Sequence, residues 1–525
     1  MFKRQDVGRN GAMLTVLLYN KRTPKPYKGL ASLCLMVANL CASDRFVGRL
    51  VLIYDTPRKM IIWVCQGLYA KLTSAFELKL VDNMQFKTLL LLLLAAQASS
   101  AFSWSNHTLI SHDLLQALPE VRDAALVEVE SIEAFLMATE TELAAFLAEQ
   151  EQQMRGSLRY YAPRPDDLRF VASGDGQNVR KRFTQAIRIN PHSKLALYLQ
   201  LLPGEARAGP LIDAHDVTTL TDPVHLVEVP LIQLTEGHWV APLDVVATAN
   251  DEPDHGLDIG LFTDSNTDYG QQYGFGTQPF GNQALAYGTQ APFHMGFYHE
   301  PGIIYAAAGF LKRTYPEYRI LLYKQLAEFA FAQGHNYWGW RFMGWGMHYL
   351  GDFSNPYHVT PLPGASTLDI LIPGVLGAIG LPSAQQKATQ LTSNRHTALE
   401  DFQQEVMDRA YSLHQPSPLI RALVPPKVSA LFSDEQVVGL IAKTAYDKAE
   451  LIDQVLQQAM PAKFINDSAI EYSDLGVKSQ LPDIVLAQSG LEAYQRMESV
   501  VADLLGDFAQ YGTAYVRSIL NQSRP

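Results

Sequence analysis

Apolar residues recur at helical spacing through most of this chain. From residue 104 the first such pattern carries Leu109, Leu114, Leu115 and Leu118, and a second amphipathic stretch, rich in Ala, Leu and Glu, covers roughly 124–151. Apolar positions three and four apart line one side of a helix with about 3.6 residues per turn, so both segments predict helices. Between about 160 and 290 the period is lost. There Pro, Gly and Asp are frequent, VHLVEVPLIQL and HWVAPLDVV predict extended segments, and YGQQYGFGTQPFGNQALAYGTQ predicts a Gly/aromatic loop. Helical spacing returns over about 303–350, 385–415, 434–460 and 490–521, interrupted at PSPLIRALVPPK and again over 474–482. No repeat or linker divides 104–525. The pattern predicts a mostly α fold, one multi-helix domain with a partly extended, loop-rich insertion at about 160–290.

The first hundred residues follow another plan. MQFKTLLLLLLAAQASSAFSW, from Met84, has Lys87 as its one charge, an apolar run over 89–96, and small residues up to Ala101-Phe102-Ser103. That is the order of a secretory signal peptide. The run falls short of the roughly 20 apolar residues a transmembrane helix needs. Signal peptides sit at chain starts, whereas 83 residues precede this one. Residues 1–83 therefore read as a non-native upstream extension, 84–103 as a signal peptide and 104–525 as the working domain, secreted or periplasmic, with no transmembrane segment. Cleavage after Ala98, Ala101 or Ser103 satisfies the small-residue rule.

Composition and charge narrow the chemistry. With 47% apolar and 18% charged residues the chain is of ordinary globular type. Its three cysteines, Cys34, Cys41 and Cys65, all lie in the first 83 residues, so a metal site further on must use His, Asp and Glu. Residues 104–525 carry 28 basic against 48 acidic side chains, a surplus of 20 negative charges that weighs against non-specific nucleic-acid binding. Bound cations can reverse that sign locally.

The strongest motif is GMHYLGDFSNPYH, in which His348, Asp352 and His358 stand as H-x3-D-x5-H. His348 and Asp352 are four apart and share a helical face, where they can grip one metal ion. Asn355-Pro356 should stop that helix and let His358 return to the same cavity. In RHTALEDF, His396 and Glu400 form a second pair at the same spacing. Imidazole and carboxylate without thiolate suit catalytic zinc with open positions.

HYLGDFSNPYH resembles, without a gap, the zinc-binding stretch of bacterial zinc-dependent phospholipases C and of the fungal single-strand-specific nucleases that share their fold. The resemblance extends in order over most of 104–460 but is specific only at about a dozen positions, and 160–250 departs from it. It implies a phospholipase C-like domain with three Zn2+ ions that hydrolyses phosphodiesters. The first ion would be held by Asp254, His294, His348 and Asp352, and the second by His358, His396 and Glu400. The third would take the free amino terminus of Trp104, His107 and a second oxygen of Asp352, which favours cleavage after Ser103. His112 competes with His107, Asp251 and Asp258 compete with Asp254 within DEPDHGLD, and His299 stands in reserve to His294. Asp254 and Asp352 are the catalytic carboxylates, Asp254 orienting or deprotonating the attacking water. Among phosphodiesters a phospholipid is favoured over a single-stranded nucleic acid, because the acidic balance is joined by an apolar loop over 370–381 that could dip into a lipid interface. Two other readings stand beside it: a single-strand nuclease or nucleotidase of the same fold, and a non-catalytic, metal-stabilised binding protein.

Overall fold

In a computed structural model of the chain, Met1–Leu92 and Leu93–Pro525 form two compact units. The structure describes residues 106–221, 223, 226, 229–281, 286–366, 383–425 and 431–522, together with four strands in the first unit. The signal-peptide segment, Trp104 and the apolar loop over 370–381 lie outside the described residues. In the first unit β1 (Lys3–Arg9), β2 (Ala12–Asn20), β3 (Gly48–Thr56) and β4 (Lys59–Gln66) form a sheet in that order. The outer pairs are antiparallel and β2 runs parallel to β3. Runs such as MLTVLLY and MIIWV are apolar without alternation, so no period of two announces them as strands.

The second unit is mostly helical. Its principal helices are α1 (His107–Ala117), α2 (Glu140–Ser157), α3 (Pro242–Ala249), α4 (Pro316–Ala332), α5 (Asn336–Asp352), α6 (Ser383–Ser412), α7 (Lys443–Ala459) and α8 (Leu481–Gln522), the last broken at Gly490. α5 is the central element. It packs against α3, α4 and α8, and Tyr337, Trp338, Trp340, Phe342 and Trp345 are all buried on it. A helix covered on every side belongs in the middle of its domain. Close approach is built into it: a methyl group at Gly344 would lie 2.6 Å from Ala249 Cβ, so the glycine lets α3 lie directly on α5.

Two expectations need correction. The helix expected over about 124–151 starts later: Val127–Glu128 is a strand, and two helices, Ile132–Ala138 and α2, follow with a break at Thr139. HWVAPLDVV is extended only at Trp239–Val240. Pro242 in the first turn and the alanines beyond turn the rest into α3, overriding the strand preference of its valines. The insertion is partly extended as expected but its strands are short: among the described residues they are Tyr198–Gln200, paired antiparallel with Leu231–Gln233, and Trp239–Val240, paired antiparallel with Val127–Glu128 ahead of the insertion.

Candidate metal centre

α5 carries His348 and Asp352 one turn apart, both fully buried. The helix ends at Asp352 as expected, and Asn355 then caps the next short helix, Pro356–Val359, by accepting the backbone N–H of Tyr357. That reversal returns His358 to the cluster. The Asn355 amide also donates to Glu400 Oε1 (3.0 Å), tying the turn to α6, where Glu400 and His396 share one face.

The segment after α3 supplies the other side. α1 docks its first turn on it: the backbone N–H of His107 donates to Asp251 Oδ1 (2.7 Å), Asn250 Nδ2 donates to the His107 carbonyl (2.9 Å), and Thr108 donates to the carbonyl of Ala247 (3.0 Å). His107 is thereby buried against α5, its ring centroid 3.9 Å from that of His348. Further along, Glu252 takes a two-point grip from Arg341 and the indole N–H of Trp345, anchoring the acidic loop to α5. Asp254 follows on the anchored stretch. His294 ends the short helix Ala291–His294, and the next residues zip to His358: the N–H of Gly296 donates to the His358 carbonyl (2.8 Å) and His358 Nδ1 donates to the His294 carbonyl (2.9 Å).

These elements assemble three buried groups able to hold metal ions: His107, His348 and Asp352; Asp254, His294 and His348; and His358, His396 and Glu400. The second group, joined by Asp352, has tetrahedral proportions. His294 Nδ1 lies 3.0 Å from His348 Nε2, 3.1 Å from Asp352 Oδ2 and 3.6 Å from Asp254 Oδ1. His348 Nε2 lies 3.7 Å from Asp254 Oδ1 and 3.6 Å from Asp352 Oδ2. Ligands about 2.0–2.1 Å from a tetrahedral zinc stand roughly 3.3 Å apart, within the spread seen here. In the third group His358 Nε2 is 3.0 Å from His396 Nε2 and 3.5 Å from Glu400 Oε1, and His396 Nε2 is 2.6 Å from the same oxygen. Asp352 faces two ways, with Oδ2 in the tetrahedral set and Oδ1 3.5 Å from His107 Nε2.

Ring tautomers point the same way. His348 donates its Nδ1–H to the Asn250 carbonyl (2.7 Å), leaving an unprotonated Nε2 aimed at the cluster, and His358 does the same through its bond to His294. Nitrogens converging to 3.0 Å could be satisfied by a cation between them. Burial holds His348 and His396 well below the usual imidazole range and His358 below it, so these rings are neutral, the form that binds metal. Burial pushes Asp254 up to about 7 and Glu400 well above the carboxylate range. For Asp352 burial is outweighed by His348 and His358 and by hydrogen bonds from His107 and His294, which keep it well below that range. For His294 burial is outweighed by the carboxylates of Asp258, Asp352 and Asp254, which push it up to about 10. A cluster that concentrates unfavourable protonation in this way gains from exchanging its protons for a metal ion.

Of the alternatives open in the sequence, His112 is part-exposed beside Asp113 and belongs to none of the three buried groups. His299 donates to the carbonyl of Val438 (2.8 Å), outside it. Asp251 holds α1 and Gln200, and Asp258 sits behind His294. Reasoning from sequence missed the supporting residues Asn250, Arg319 and Tyr349, and weighed Asp258 only as a competing ligand. Asn250 lies just ahead of DEPDHGLD, and nothing in sequence tied it, Arg319 or Tyr349 to that acidic stretch. No protein-family model, curated protein or solved structure matches the chain. Among the described residues no helix is long and apolar enough to cross a membrane.

Proposed function

We propose that this chain is a zinc-dependent hydrolase of phosphodiesters, of the phospholipase C and single-strand nuclease type, exported and starting at Trp104. The observation that carries the reading is the double facing of Asp352, one oxygen toward Asp254, His294 and His348 and the other toward His107, beside the separate His358/His396/Glu400 group. Clustered zinc ions would supply Lewis acidity, activating water and neutralising charge on the phosphoryl oxygens. The chain's own part is to fix the donors. Carbonyls of Asn250 and His294 set the tautomers of His348 and His358, and Asn355 aims Glu400. Asp254 orients the attacking water and can take its proton. Three ions are proposed, the third completed by the amine of Trp104.

The acidic balance of 104–525 and the apolar sequence over 370–381 favour a phospholipid over a nucleic-acid strand. The test is hydrolysis of bis(p-nitrophenyl) phosphate, phosphatidylcholine vesicles and single-stranded DNA by the purified, zinc-loaded protein. Cleavage of the small diester and the lipid is expected. Cleavage of DNA but not lipid moves the reading to the nuclease, and failure on all three by protein of verified zinc content leaves a metal-stabilised binding protein.

A further inference from the structure

We propose that Asp258 is the positioning residue for His294, and that its pairing with Arg319 commits Nδ1 of that imidazole to the tetrahedral group. Asp258 is fully buried. Its Oδ1 accepts from Arg319 Nη2 (2.5 Å), its Oδ2 accepts from the Tyr349 hydroxyl (2.6 Å), and the same Oδ2 faces His294 Nε2 at 3.6 Å. A shift of about half an ångström makes that last approach a hydrogen bond.

The case rests on which nitrogen each ring presents. His348 and His358 give their Nδ1–H to backbone carbonyls and present Nε2. His294 is turned the other way: Nδ1 faces Asp254 and Asp352, so with a metal ion on Nδ1 the one remaining proton sits on Nε2 and needs an acceptor behind it. Asp258 is that acceptor. It is also the one charged partner among these three orienting groups, so it makes His294 the more basic donor. A lone carboxylate at this depth would be too costly, and Arg319 supplies the balancing charge. Arg319 is fixed in turn from the insertion, donating to the carbonyls of Ile187 (2.9 Å) and Arg188 (2.8 Å). Arg188 itself is held at φ +53, in the left-handed region that a side chain with Cβ seldom occupies, and its guanidinium donates to the carbonyl of Ala162 (2.7 Å). Through this relay part of the segment that departs from the resemblance sets one ligand ring of the metal centre.

The inference rests on the reading of the cluster as a metal centre, and the experiment separates the two. The metal-free full chain is titrated with Zn2+ alone against a chromophoric chelator, for wild type, Asp258→Asn, and Asp258→Leu combined with Arg319→Met. The double variant removes the buried pair together and so avoids stranding the arginine. Circular dichroism verifies folding, and 15N spectra of the zinc-loaded, histidine-labelled protein report which nitrogen of His294 carries the proton. Expected is a loss of about 10–100-fold at one zinc site with the others unchanged, and loss of the single Nε2–H form of His294. Undiminished affinity at every site in the folded double variant overturns the proposal while leaving the metal centre standing. A uniform loss at all sites overturns it too, since that is what a merely structural pair would give. A wild type that binds no zinc removes both.

Discussion

Asp352 concentrates the chemistry at the residue scale. Its two oxygens face different groups, so Asp352→Asn should lose far more than a change at a peripheral ligand, because an amide supplies no second anionic oxygen. We expect metal affinity and hydrolysis of bis(p-nitrophenyl) phosphate to fall at least the roughly 10–100-fold typical of changes behind the ligands. Activity within twofold of wild type at full zinc occupancy would exclude the bridging role. His294 makes a second prediction, in pH. Its folded value, about 10, lies above the ordinary 6.5, so in metal-free protein its contribution to stability is complete below about 6.5 and is lost as pH rises toward 10. His348, His358 and His396 are shifted the opposite way and are neutral in folded and unfolded chains above that lower limit, so they add no slope there. Chelator-treated protein should therefore melt lower at pH 9 than at pH 7. Zinc on Nδ1 would replace that proton, so the gap between loaded and metal-free melting temperatures should widen over the same interval. A gap that narrows would place His294 outside the metal centre.

Helix spacing made the element scale the most legible in sequence. His348 with Asp352 and His396 with Glu400 were visible because a spacing of four fixes a shared face wherever the helix lies. The return of His358 was visible because Asn-Pro ends helices for local reasons. By contrast, choosing His107 over His112, or Asp254 over its acidic neighbours, required the docking of α1 on the end of α3, and no local rule encodes that. The strand expected in HWVAPLDVV went wrong because its valines favour strands while burial against α5 favours a helix. That contact yields a prediction. Gly344→Ala should stabilise an isolated helix by about 1 kcal/mol, yet here the new methyl group meets Ala249 Cβ at 2.6 Å and the Val246 carbonyl at 2.7 Å. Overpacking of this kind costs about 1–3 kcal/mol. Pushing α3 away also shifts the Asn250 carbonyl that orients His348, so thermal stability and zinc affinity should fall together. A stabilised variant with unchanged affinity would show that the α3–α5 contact does not set the ligand.

For the whole molecule, the candidate metal centre joins segments far apart in sequence: α1, the loop after α3, the turn at His294, α5, the turn after it, and α6. The helical class and most of the cluster were legible in sequence, whereas the Asp258–Arg319 relay was hidden because its residues come from four distant stretches, around 188, 258, 294 and 319. Ions held by these groups would cross-link many elements and so contribute directly to folding. Removing them should lower the melting temperature and abolish hydrolysis together, and readdition of zinc should restore both. Unchanged melting after verified metal removal would mean that the groups do not act as cross-links. The central claim, that these buried imidazoles and carboxylates hold zinc, is tested most directly by anomalous diffraction at the zinc edge from crystals of the zinc-loaded protein. The account predicts one peak enclosed by Asp254, His294, His348 and Asp352, a second at His358, His396 and Glu400, and a third beside His107 and Asp352. A folded, zinc-equilibrated protein with no anomalous peak among these residues would contradict it.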